Sequence, residues 1–300
     1  MISKQKLEHV TNFLPAPVAR VAKRVGVYPR YLLQAYACRQ GYRRFGDRYP
    51  QKLLFIAGLP KSGTTWLEKM AASYSGFHDL LIPDVSAYEM ATGASHDYDL
   101  PADMFSRFDK MLVITKMHVH GSVHNASLLH AAGLNYVILY RDLRDVALSH
   151  YYYVRQTRWH PDYRRYSKLS LLDGLTAFSD HLLLPFAEWV RSWHTNHDPE
   201  RGLVVRYEDL VADTPVVLAR IAGHFELDSS HDTMDRIVEE HRFDRLSRGR
   251  HQGEESQKSF FRKGVAGDWR NHFTPRLKEI YKNKIGKFLI DFGYEQDDLW

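Results

Sequence analysis

Cysteine and long apolar runs are both scarce in this sequence, and their scarcity excludes several classes of protein. Cys38 is the single cysteine among 300 residues, so no disulfide can form within the chain. No apolar run approaches the roughly 18–20 residues that span a bilayer. The first residues, MISKQKLEHVTNF, lack the basic-then-apolar order of a signal peptide. We therefore expect a cytoplasmic protein.

Linkers and internal repeats are lacking as well. No segment rich in Gly, Ser or Pro divides the middle of the chain, and no repeat recurs at a period of about 20–50 residues. With 44% hydrophobic and 26% charged residues, the composition is typical of a globular protein with a sizeable core. The sequence predicts one domain over residues 1–300, with residues 1–50 forming a basic helical extension that packs on it.

An excess of acidic residues is also absent, since the formal net charge is +5 and the isoelectric point is about 9.1. A basic balance favours anionic ligands or anionic surfaces. It does not choose among nucleic acid, anionic lipid and a phosphorylated cofactor, so all three stay open on composition alone.

The segment 18–48 carries much of the positive charge, with eight Lys or Arg residues against one acidic residue. Val18, Val21, Ala22 and Val25 recur at helical spacing, which predicts a helix. We favour a surface helix that packs on the sheet and leaves its basic face in solvent. A helix that touches a membrane surface peripherally is the alternative.

Short apolar runs alternate with longer helical stretches along the rest of the chain. Four runs predict buried strands, at 53–59, 111–117, 135–140 and 203–207. Helices are predicted at 64–75, 121–131, 143–156, 174–195, 215–225, 231–241 and 275–290. This alternation predicts an α/β fold with a P-loop-like, doubly wound parallel sheet flanked by helices. Ligands of such sheets bind at the carboxyl ends of the strands, so the chemistry is expected there.

The sequence PKSGTTW, residues 60–66, follows the first predicted strand and opens a helix. The start of a helix offers unpaired N–H groups and a positive dipole end, which together bind anions. Gly63 lets the backbone approach an oxyanion closely. Thr64 and Thr65 offer hydroxyl groups to the same anion, and Lys61 adds a positive charge. A generic turn into a helix is the alternative interpretation.

This loop differs from the Walker A pattern that binds ATP. Gly58 and Gly63 have the right spacing, but Thr64 occupies the position of the lysine. No clean apolar run followed by aspartate completes a magnesium site, because the run at 135–140 is followed by Arg141. The loop therefore predicts binding of a phosphate-like anion, and a P-loop nucleoside or small-molecule kinase is the runner-up function.

The sequence YRDLRDVALSHYY, residues 140–152, places an arginine and a hydroxyl group near one another. Arg141 ends a predicted strand, and Ser149 lies on the helix that follows. An arginine fork with a hydroxyl suits a phosphate monoester. A surface ion pair between Arg141 and Asp145 is the alternative.

The sequence FFRKGVAGDWRNHFT, residues 260–274, holds a second cluster of cations. Arg262 and Lys263 precede Gly264, which lets the chain pass close to an anion. The sequence predicts an anion site here, although a basic surface turn would give the same local pattern.

The sequence TKMH, residues 115–118, ends the second predicted strand. Its histidine begins the pattern His118, His120 and His124, which offers a zinc site as one interpretation. No cysteine or carboxylate nearby completes the set of ligands. We therefore expect no metal.

These four stretches resemble the motifs of the cytosolic-type sulfotransferases, whose donor is 3′-phosphoadenosine 5′-phosphosulfate (PAPS). PKSGTTW resembles their 5′-phosphosulfate loop, and TKMH resembles their KTH element. YRDLRDVALSHYY resembles their 3′-phosphate site. FFRKGVAGDWRNHFT is the most specific match, because it departs from the pattern RKGxxGDWKNxFT only at Arg270. The resemblance runs from about residue 53 to about residue 274.

The resemblance implies transfer of a sulfuryl group from PAPS to a hydroxyl or amine acceptor, with adenosine 3′,5′-bisphosphate (PAP) as the product. On this match His118 takes the proton of the acceptor, because a neutral hydroxyl is a poor nucleophile. Lys116 and Lys61 offset negative charge on the donor as it departs. The mechanism needs no metal.

The resemblance also implies which residues hold the nucleotide. The 5′-phosphosulfate is held by the loop residues Lys61, Ser62, Gly63, Thr64 and Thr65. The 3′-phosphate is held by Arg141, Ser149, Arg262, Lys263 and Gly264. The adenine is met by Trp66, Tyr207 and Phe243, although each of these rings alone fits core packing equally well.

The resemblance does not identify the acceptor, which we expect to be a small molecule, lipid or glycan bearing a hydroxyl. Segments 78–108, 151–170 and 244–260 are expected on the acceptor side, where aromatic side chains line a pocket or simply pack. The aromatic residues there include Tyr98, Phe105, Phe108, Tyr153, Trp159 and the histidines His96 and His160. Four arginines would instead suit an anionic acceptor: Arg155, Arg158, Arg164 and Arg165.

The oligomeric state is left open by an altered motif. Many family members dimerise through KxxxTVxxxE, and the corresponding stretch here is RNHFTPRLKE, residues 270–279. Pro275 has no N–H and fixes its own φ, which disfavours a dimer made through that backbone. Both a monomer and a dimer are compatible with the sequence.

A binding protein that has lost catalysis is a further alternative. The presence of both Lys116 and His118 argues against it. We expect no nucleic-acid partner, and a peripheral membrane contact through 18–48 stays open.

Overall fold

A five-stranded parallel sheet forms the centre of the computed structural model, which describes residues 13–92, 96–257 and 259–300. The spatial order of the strands is β2-β3-β1-β4-β5, with every neighbouring pair parallel. The strands are β1 (Leu53–Gly58), β2 (His78–Asp79), β3 (Val113–Met117), β4 (Tyr136–Tyr140) and β5 (Gly202–Arg206). The predicted α/β fold with a parallel sheet is confirmed.

The four predicted strands form at the predicted places because they are apolar on both faces. All six residues of β1 are buried, and Leu53 pairs with Val113 while Phe55 pairs with Tyr136. The two-residue strand β2 was not predicted, because it is too short and too polar to carry a periodic signal.

Thirteen α-helices occur in the described parts of the chain. The first six are α1 (Ala16–Phe45), α2 (Thr64–Ala71), α3 (Pro83–Thr92), α4 (Val123–Ala131), α5 (Leu143–Val154) and α6 (Tyr163–Tyr166). The others are α7 (Leu171–His181), α8 (Leu183–Asn196), α9 (Tyr207–Ala212), α10 (Thr214–His224), α11 (His231–Glu240), α12 (Phe243–Ser247) and α13 (Pro275–Asp291).

The prediction of a single long helix at 174–195 is wrong, because the structure has two helices that meet at Leu182. The cause is Pro185, which lacks an N–H and clashes with the carbonyl four residues before it. A proline is tolerated in the first turn of a helix, so α8 starts where α7 cannot continue.

Helices cover both faces of the sheet, so the core lies in two layers. Successive side chains of β1, such as those of Phe55 and Ile56, enter opposite layers. One layer contains α5, α7, α8 and α13, and the other contains α2, α10 and α11. Burial on both sides holds the carboxyl ends of the strands at one edge of the molecule.

Helix α1 lies against the β2 edge of the sheet. Arg30 forms an ion pair with Asp79 at 3.2 Å, and Gln34 donates to the same carboxylate at 2.6 Å. The inner side of the helix buries Ala19, Ala35 and Cys38. The division into a domain and an extension over 1–50 stays a prediction, and residues 1–12 lie outside the described residues. None of the described helices is both long enough and apolar enough to cross a membrane.

Arg144 fastens the start of α5 to the C-terminal segment. Its side chain is fully buried, and it donates to Asp142 at 2.7 Å and to Glu295 at 2.5 Å. Its guanidinium lies 3.7 Å from the ring centre of Trp269 and 4.4 Å from that of Trp300. This one cation therefore pairs with two carboxylates and fills the space between two rings.

We expect Arg144→Met to destabilise the protein by about 3–5 kcal/mol, because removal of one partner leaves a buried carboxylate uncompensated. Urea unfolding followed by far-UV circular dichroism measures this loss. The matched control is Arg236→Met, which breaks an exposed pair with Glu240 and should cost less than about 1 kcal/mol. Equal losses in the two variants would contradict the role of Arg144.

Candidate active site

A cavity of about 610 Å³ opens where the carboxyl ends of β1, β3, β4 and β5 meet. Fourteen of the fifteen predicted site residues line it, although they lie far apart in the sequence. They are Lys61, Gly63, Thr64, Thr65, Trp66, Lys116, His118, Arg141, Ser149, Tyr207, Phe243, Arg262, Lys263 and Gly264. Ser62 is the exception, because its side chain is fully buried and does not line the cavity.

The loop before α2 has a tightly constrained backbone. Lys61 has φ +68° and Gly63 has φ +83°, so the chain turns sharply through the left-handed region twice. A Cβ on Gly63 would lie 2.7 Å from the ring of Tyr207, which is closer than atoms pack. No side chain caps the first turn of α2, so its N–H groups and positive dipole end face the cavity.

Two lysines flank this loop, and the protein fixes both. The Lys61 nitrogen lies 3.7 Å from the ring centre of Tyr153, a cation–π contact. Lys116, on β3, donates to Thr65 Oγ1 and to Glu68 Oε2, both at 2.6 Å. Both ammonium groups therefore have fixed positions at the wall of the cavity.

His118 follows β3 and is oriented by a backbone carbonyl. Its Nδ1 lies 2.5 Å from the Gly58 oxygen, which can only accept, so Nδ1 carries the proton. In the neutral ring the lone pair then resides on Nε2. The backbone carbonyl of His118 accepts from Trp189 Nε1 at 2.8 Å, which fixes the residue from the other side. The tautomer is the one that a base acting through Nε2 requires.

Glu89, on α3, is a cavity residue that the sequence did not reveal. Its carboxylate accepts the backbone N–H of His118 and lies 4.0 Å from Nδ1 of His96. Burial raises the pKa of Glu89 to about 7, although the His118 N–H and the charge of Lys116 act in the opposite direction. About 29% of the side chain is exposed, and Glu89 lines the cavity.

His96 lies beside the catalytic candidate, with its ring centre 5.6 Å from that of His118. Burial lowers the pKa of His96 well below its usual range, and the neighbouring charge of His118 lowers it further. A neutral His96 therefore packs against His118 without competing for the proton.

A buried carboxylate, Asp145, joins the two predicted 3′-phosphate segments. It accepts from Arg141 Nη2 at 3.0 Å, from the Gly267 N–H at 2.6 Å and from the Trp269 N–H at 2.9 Å. Arg141 also donates to the Val265 carbonyl at 2.8 Å, and its guanidinium lies 4.3 Å from the ring centre of Tyr207. The ion pair of the alternative interpretation does form, but it is buried instead of lying at the surface, and it positions Arg141 at the cavity.

Asp268 orients the other two cations. Arg262 donates to it at 2.6 Å and Lys263 at 2.5 Å, while Arg262 also reaches Glu255 at 3.2 Å. Burial alone would raise the pKa of Asp268, but the hydrogen bonds from Lys263 and Arg262 hold it well below its usual value. Two fixed cations therefore lie on one side of the cavity.

Gly264 completes this side by allowing a close approach of the chain. Its φ is +71°, and a Cβ there would lie 2.4 Å from the ring of Phe243. Trp66, which is also predicted to contact adenine, donates from Nε1 to the His241 carbonyl at 2.9 Å. Phe243 and Trp66 thus have fixed positions at the same end of the cavity.

The expected acceptor side is largely aromatic. His96, Tyr153, Trp159 and His160 line the cavity, and Phe186, Phe260 and Phe261 join them. Tyr98, Phe105 and Phe108 instead pack with the hydrophobic core. Arg155 and Arg164 do not line the cavity, and Arg155 donates to the Tyr151 hydroxyl at 2.6 Å.

The histidine pattern does not assemble a metal site. His124 Nε2 lies 2.8 Å from the Leu100 carbonyl oxygen, and His118 Nδ1 donates to Gly58. Each of these histidines thus has one ring nitrogen engaged by the backbone. Within residues 13–92, 96–257 and 259–300, no group of three or more His, Cys, Asp or Glu side chains is placed to hold a metal ion.

Comparison with known proteins assigns the family. The sulfotransferase domain matches residues 51–293, and the chain therefore belongs to the sulfotransferase family. It is 24% identical to mouse (Mus musculus) Sulfotransferase 1E1 over 81% of this chain and 86% of the relative. It is 28% identical to Flavonol 3-sulfotransferase of Flaveria bidentis over 79% of this chain and 80% of that protein.

Solved structures confirm the fold. Mouse sulfotransferase SULT7A1, complexed with PAP, superposes with a TM-score of 0.59 at 19% identity, covering 86% of this chain and 95% of the other. Retinol dehydratase, in complex with androsterone and inactive cofactor PAP, gives 0.57 at 20% identity, covering 84% and 86%. The resemblance to sulfotransferases is confirmed, and the kinase alternative is not favoured.

We expect Asp145→Asn to loosen residues 265–269, because hydrogen bonds to a charged acceptor contribute about 1.5–3 kcal/mol each. Amide hydrogen exchange at Gly267 and Trp269 should accelerate about 10- to 100-fold. The amides of α13 serve as an internal control and should keep their protection. Unchanged exchange at both amides would show that Asp145 does not anchor this segment.

The raised pKa of Glu89 predicts a pH-dependent stability. Between pH 4.5, the ordinary pKa, and about 7, the folded protein binds a proton that the unfolded chain has lost. Stability therefore falls as pH rises through this window, by up to about 3 kcal/mol from this group. Glu208, whose pKa burial also raises to about 7, contributes in the same window.

We expect Glu89→Gln to be more stable than the wild type above about pH 7 and equally stable below pH 4.5. Chemical denaturation at several pH values measures this difference. The exposed Glu240→Gln should leave the pH dependence unchanged. A parallel offset of the Glu89→Gln and wild-type curves at every pH would contradict the assigned pKa.

Proposed function

We propose that the cavity binds PAPS and that the chain transfers its sulfuryl group to an acceptor hydroxyl, or an amine, held beside His118. The observation that carries the proposal is the convergence of two anion sites and a correctly protonated histidine in one cavity. The uncapped start of α2 forms one anion site, and the segment around Arg262 forms the other.

The residues present fit the two anionic ends of this donor. The Arg141 Nε is buried and has no hydrogen-bond partner among the described residues, although Nη2 of the same side chain donates to Asp145 and Val265. A buried N–H group in a protein normally donates to an acceptor, and a phosphate oxygen is a suitable acceptor for this one. Gly63 and Gly264 let the rings of Tyr207 and Phe243 pack directly against the backbone at the two sites.

Each set of residues has its own part in holding the donor. The N–H groups of α2, the hydroxyls of Thr64 and Thr65, and Lys61 hold the phosphosulfate end. Arg141, Ser149, Arg262, Lys263 and the Gly264 backbone hold the 3′-phosphate. Trp66, Tyr207 and Phe243 surround the base. The Ser62 side chain is buried, so this residue contributes through its backbone alone.

His118 acts as the general base. Its Nδ1 proton is fixed on the Gly58 carbonyl, so Nε2 accepts the proton of the acceptor hydroxyl. The acceptor oxygen then attacks sulfur in line, and PAP departs with the electron pair of the broken bond. When bound, PAPS supplies an activated sulfuryl group, so the protein needs no metal for the chemistry.

The lysines stabilise the charge that develops on the leaving side. Lys116 lies between Thr65 and Glu68, next to the loop that holds the phosphosulfate end. Because its position is fixed before the reaction, little reorganisation is needed as negative charge grows. Glu89 supports the base by accepting the His118 N–H.

The acceptor is a small molecule or lipid with an apolar, ring-rich body. Phe186, Trp159 and Phe260 line this side, whereas Arg155 and Arg164 do not. Lys23 and Arg30 also line the cavity, but Lys23 lies over the Trp159 ring and Arg30 pairs with Asp79. Relatives include a flavonol 3-sulfotransferase and a retinol dehydratase, whose names point to hydroxyl-bearing rings and chains. A phenol panel is therefore the first acceptor set to assay.

We expect His118→Ala to lower the rate of PAP formation from PAPS and a phenol by at least about 100-fold, the usual contribution of a general base. Affinity for PAP should stay within about twofold, because the base does not hold the nucleotide. The matched control is His120→Ala, since His120 is on the same segment but outside the cavity lining. Normal turnover in His118→Ala would contradict the assigned base.

We expect Arg262→Ala to weaken PAP binding by about 10- to 100-fold, which corresponds to one charged hydrogen bond. Binding of adenosine 5′-monophosphate, which lacks the 3′-phosphate, should change little. Calorimetric titration of both nucleotides measures the contrast. Arg270→Ala is the control, because Arg270 is exposed on the same segment. Equal weakening of both nucleotides would remove Arg262 from the 3′-phosphate site.

A further inference from the structure

The outer face of α1 carries an exposed apolar stripe. In the described parts of the chain, fifteen large apolar side chains are exposed, and eight of them lie between residues 13 and 36. They are Phe13, Val18, Val21, Val25, Tyr28, Leu32, Leu33 and Tyr36. The remaining seven are scattered along the sequence from 123 to 299. Scattered exposed apolar residues are ordinary, whereas a contiguous patch marks an interaction surface.

The stripe follows the helical repeat. Positions 18, 21, 25, 28, 32 and 36 are three or four residues apart, so they share one face over about 27 Å of helix. Their side chains are 50–68% exposed. The opposite side buries Ala19, Val27 and Gly41. The valines whose spacing predicted the helix therefore face outward, and small residues make the packed face.

Positive charge surrounds and continues the stripe. Arg39 and Arg43 extend the same face toward the end of α1, and Arg24 and Arg44 flank it. All four are exposed. The other cations of the helix turn inward, since Arg20 donates to the Pro161 carbonyl at 3.0 Å and Arg30 pairs with Asp79. No acidic residue occurs within Ala16–Phe45 to neutralise the outer arginines.

We propose that α1 docks the protein on the surface of an anionic lipid bilayer. The apolar stripe enters the boundary between headgroups and acyl chains, and the outer arginines bind lipid phosphates. An amphipathic helix with apolar residues on one side and Lys or Arg around them lies in the plane of a membrane in this way. Anionic headgroups match the charge of the helix, and the docking is peripheral.

A second copy of the chain fits this surface less well. Two parallel α1 helices joined along the stripe would bring Arg39 and Arg43 against their own copies, where like charges repel. Antiparallel helices would press these arginines onto the valines of the other copy and bury them unpaired. A bilayer suits both parts of this face, because its hydrocarbon contacts the apolar stripe while its lipid phosphates bind the outer arginines.

Sedimentation of the full-length protein with vesicles tests the proposal without reference to catalysis. We expect binding to vesicles of equal parts phosphatidylcholine and phosphatidylglycerol, and far weaker binding to phosphatidylcholine alone. Binding should fall as salt rises, because the arginine contacts are screened. A catalytically impaired variant such as His118→Ala should bind vesicles like the wild type.

Two sets of variants separate the apolar and the charged contributions. Val21→Ser, Val25→Ser and Leu32→Ser combined should weaken vesicle binding at least 10-fold, since apolar burial is lost. The matched control combines Leu184→Ser with Val216→Ser, which are exposed apolar residues on α8 and α10. It should bind like the wild type.

The charge set combines Arg39→Gln, Arg43→Gln and Arg44→Gln. It should weaken binding to the anionic vesicles about 100-fold, the loss expected for three basic residues near such a surface. The matched control removes three exposed cations elsewhere, with Lys168→Gln, Arg276→Gln and Lys287→Gln. Circular dichroism and the thermal midpoint confirm that every variant is folded.

Three outcomes would overturn the proposal. The first is failure of the wild-type protein to bind the anionic vesicles. The second is equal weakening by the stripe variants and by their controls. The third is a dimer by light scattering that the stripe variants convert to a monomer while vesicles stay unbound, which would assign the face to a second copy.

Discussion

The buried carboxylate of Asp145 is the interaction on which the site depends. It neutralises Arg141 at the end of β4 and accepts the backbone N–H groups of Gly267 and Trp269, more than 120 residues later. A side chain in the first turn of α5 thus holds the segment that carries Arg262 and Lys263. Without this connection, the two halves of the proposed 3′-phosphate site would lie on separate, independently moving segments.

The same arrangement recurs at three other cations of the cavity. Lys116 is paired with Glu68, and Arg262 and Lys263 share Asp268. These carboxylates fix the rotamers of long, flexible side chains, so an incoming anion meets donors already in place. These carboxylates also compete with the ligand, because each cation divides its hydrogen bonds between its carboxylate and the ligand. Pre-organisation is the gain, and it suits a site that must stabilise charge at the moment of transfer.

The sequence could predict the sheet and most of the cavity, because the site residues follow apolar runs and parallel strands end at one edge. It could not predict Glu89, which comes from α3 and reaches His118 only through tertiary packing. The break at Leu182 is hidden from a periodicity argument because helical periodicity continues across it, although Pro185 marks it. Val18, Val21 and Val25 point outward because the other side of α1 packs on the protein. Periodicity alone does not show which side of a helix packs.

The most direct test of the account is a calorimetric titration with PAP in the absence of metal, with adenosine 5′-monophosphate and ATP–Mg²⁺ as controls. The account predicts micromolar or tighter binding of PAP and clearly weaker binding of adenosine 5′-monophosphate. That contrast isolates the 3′-phosphate, which Arg141, Arg262 and Lys263 are placed to bind. Equal affinity for the two nucleotides, or a preference for ATP–Mg²⁺, would contradict the proposed donor site.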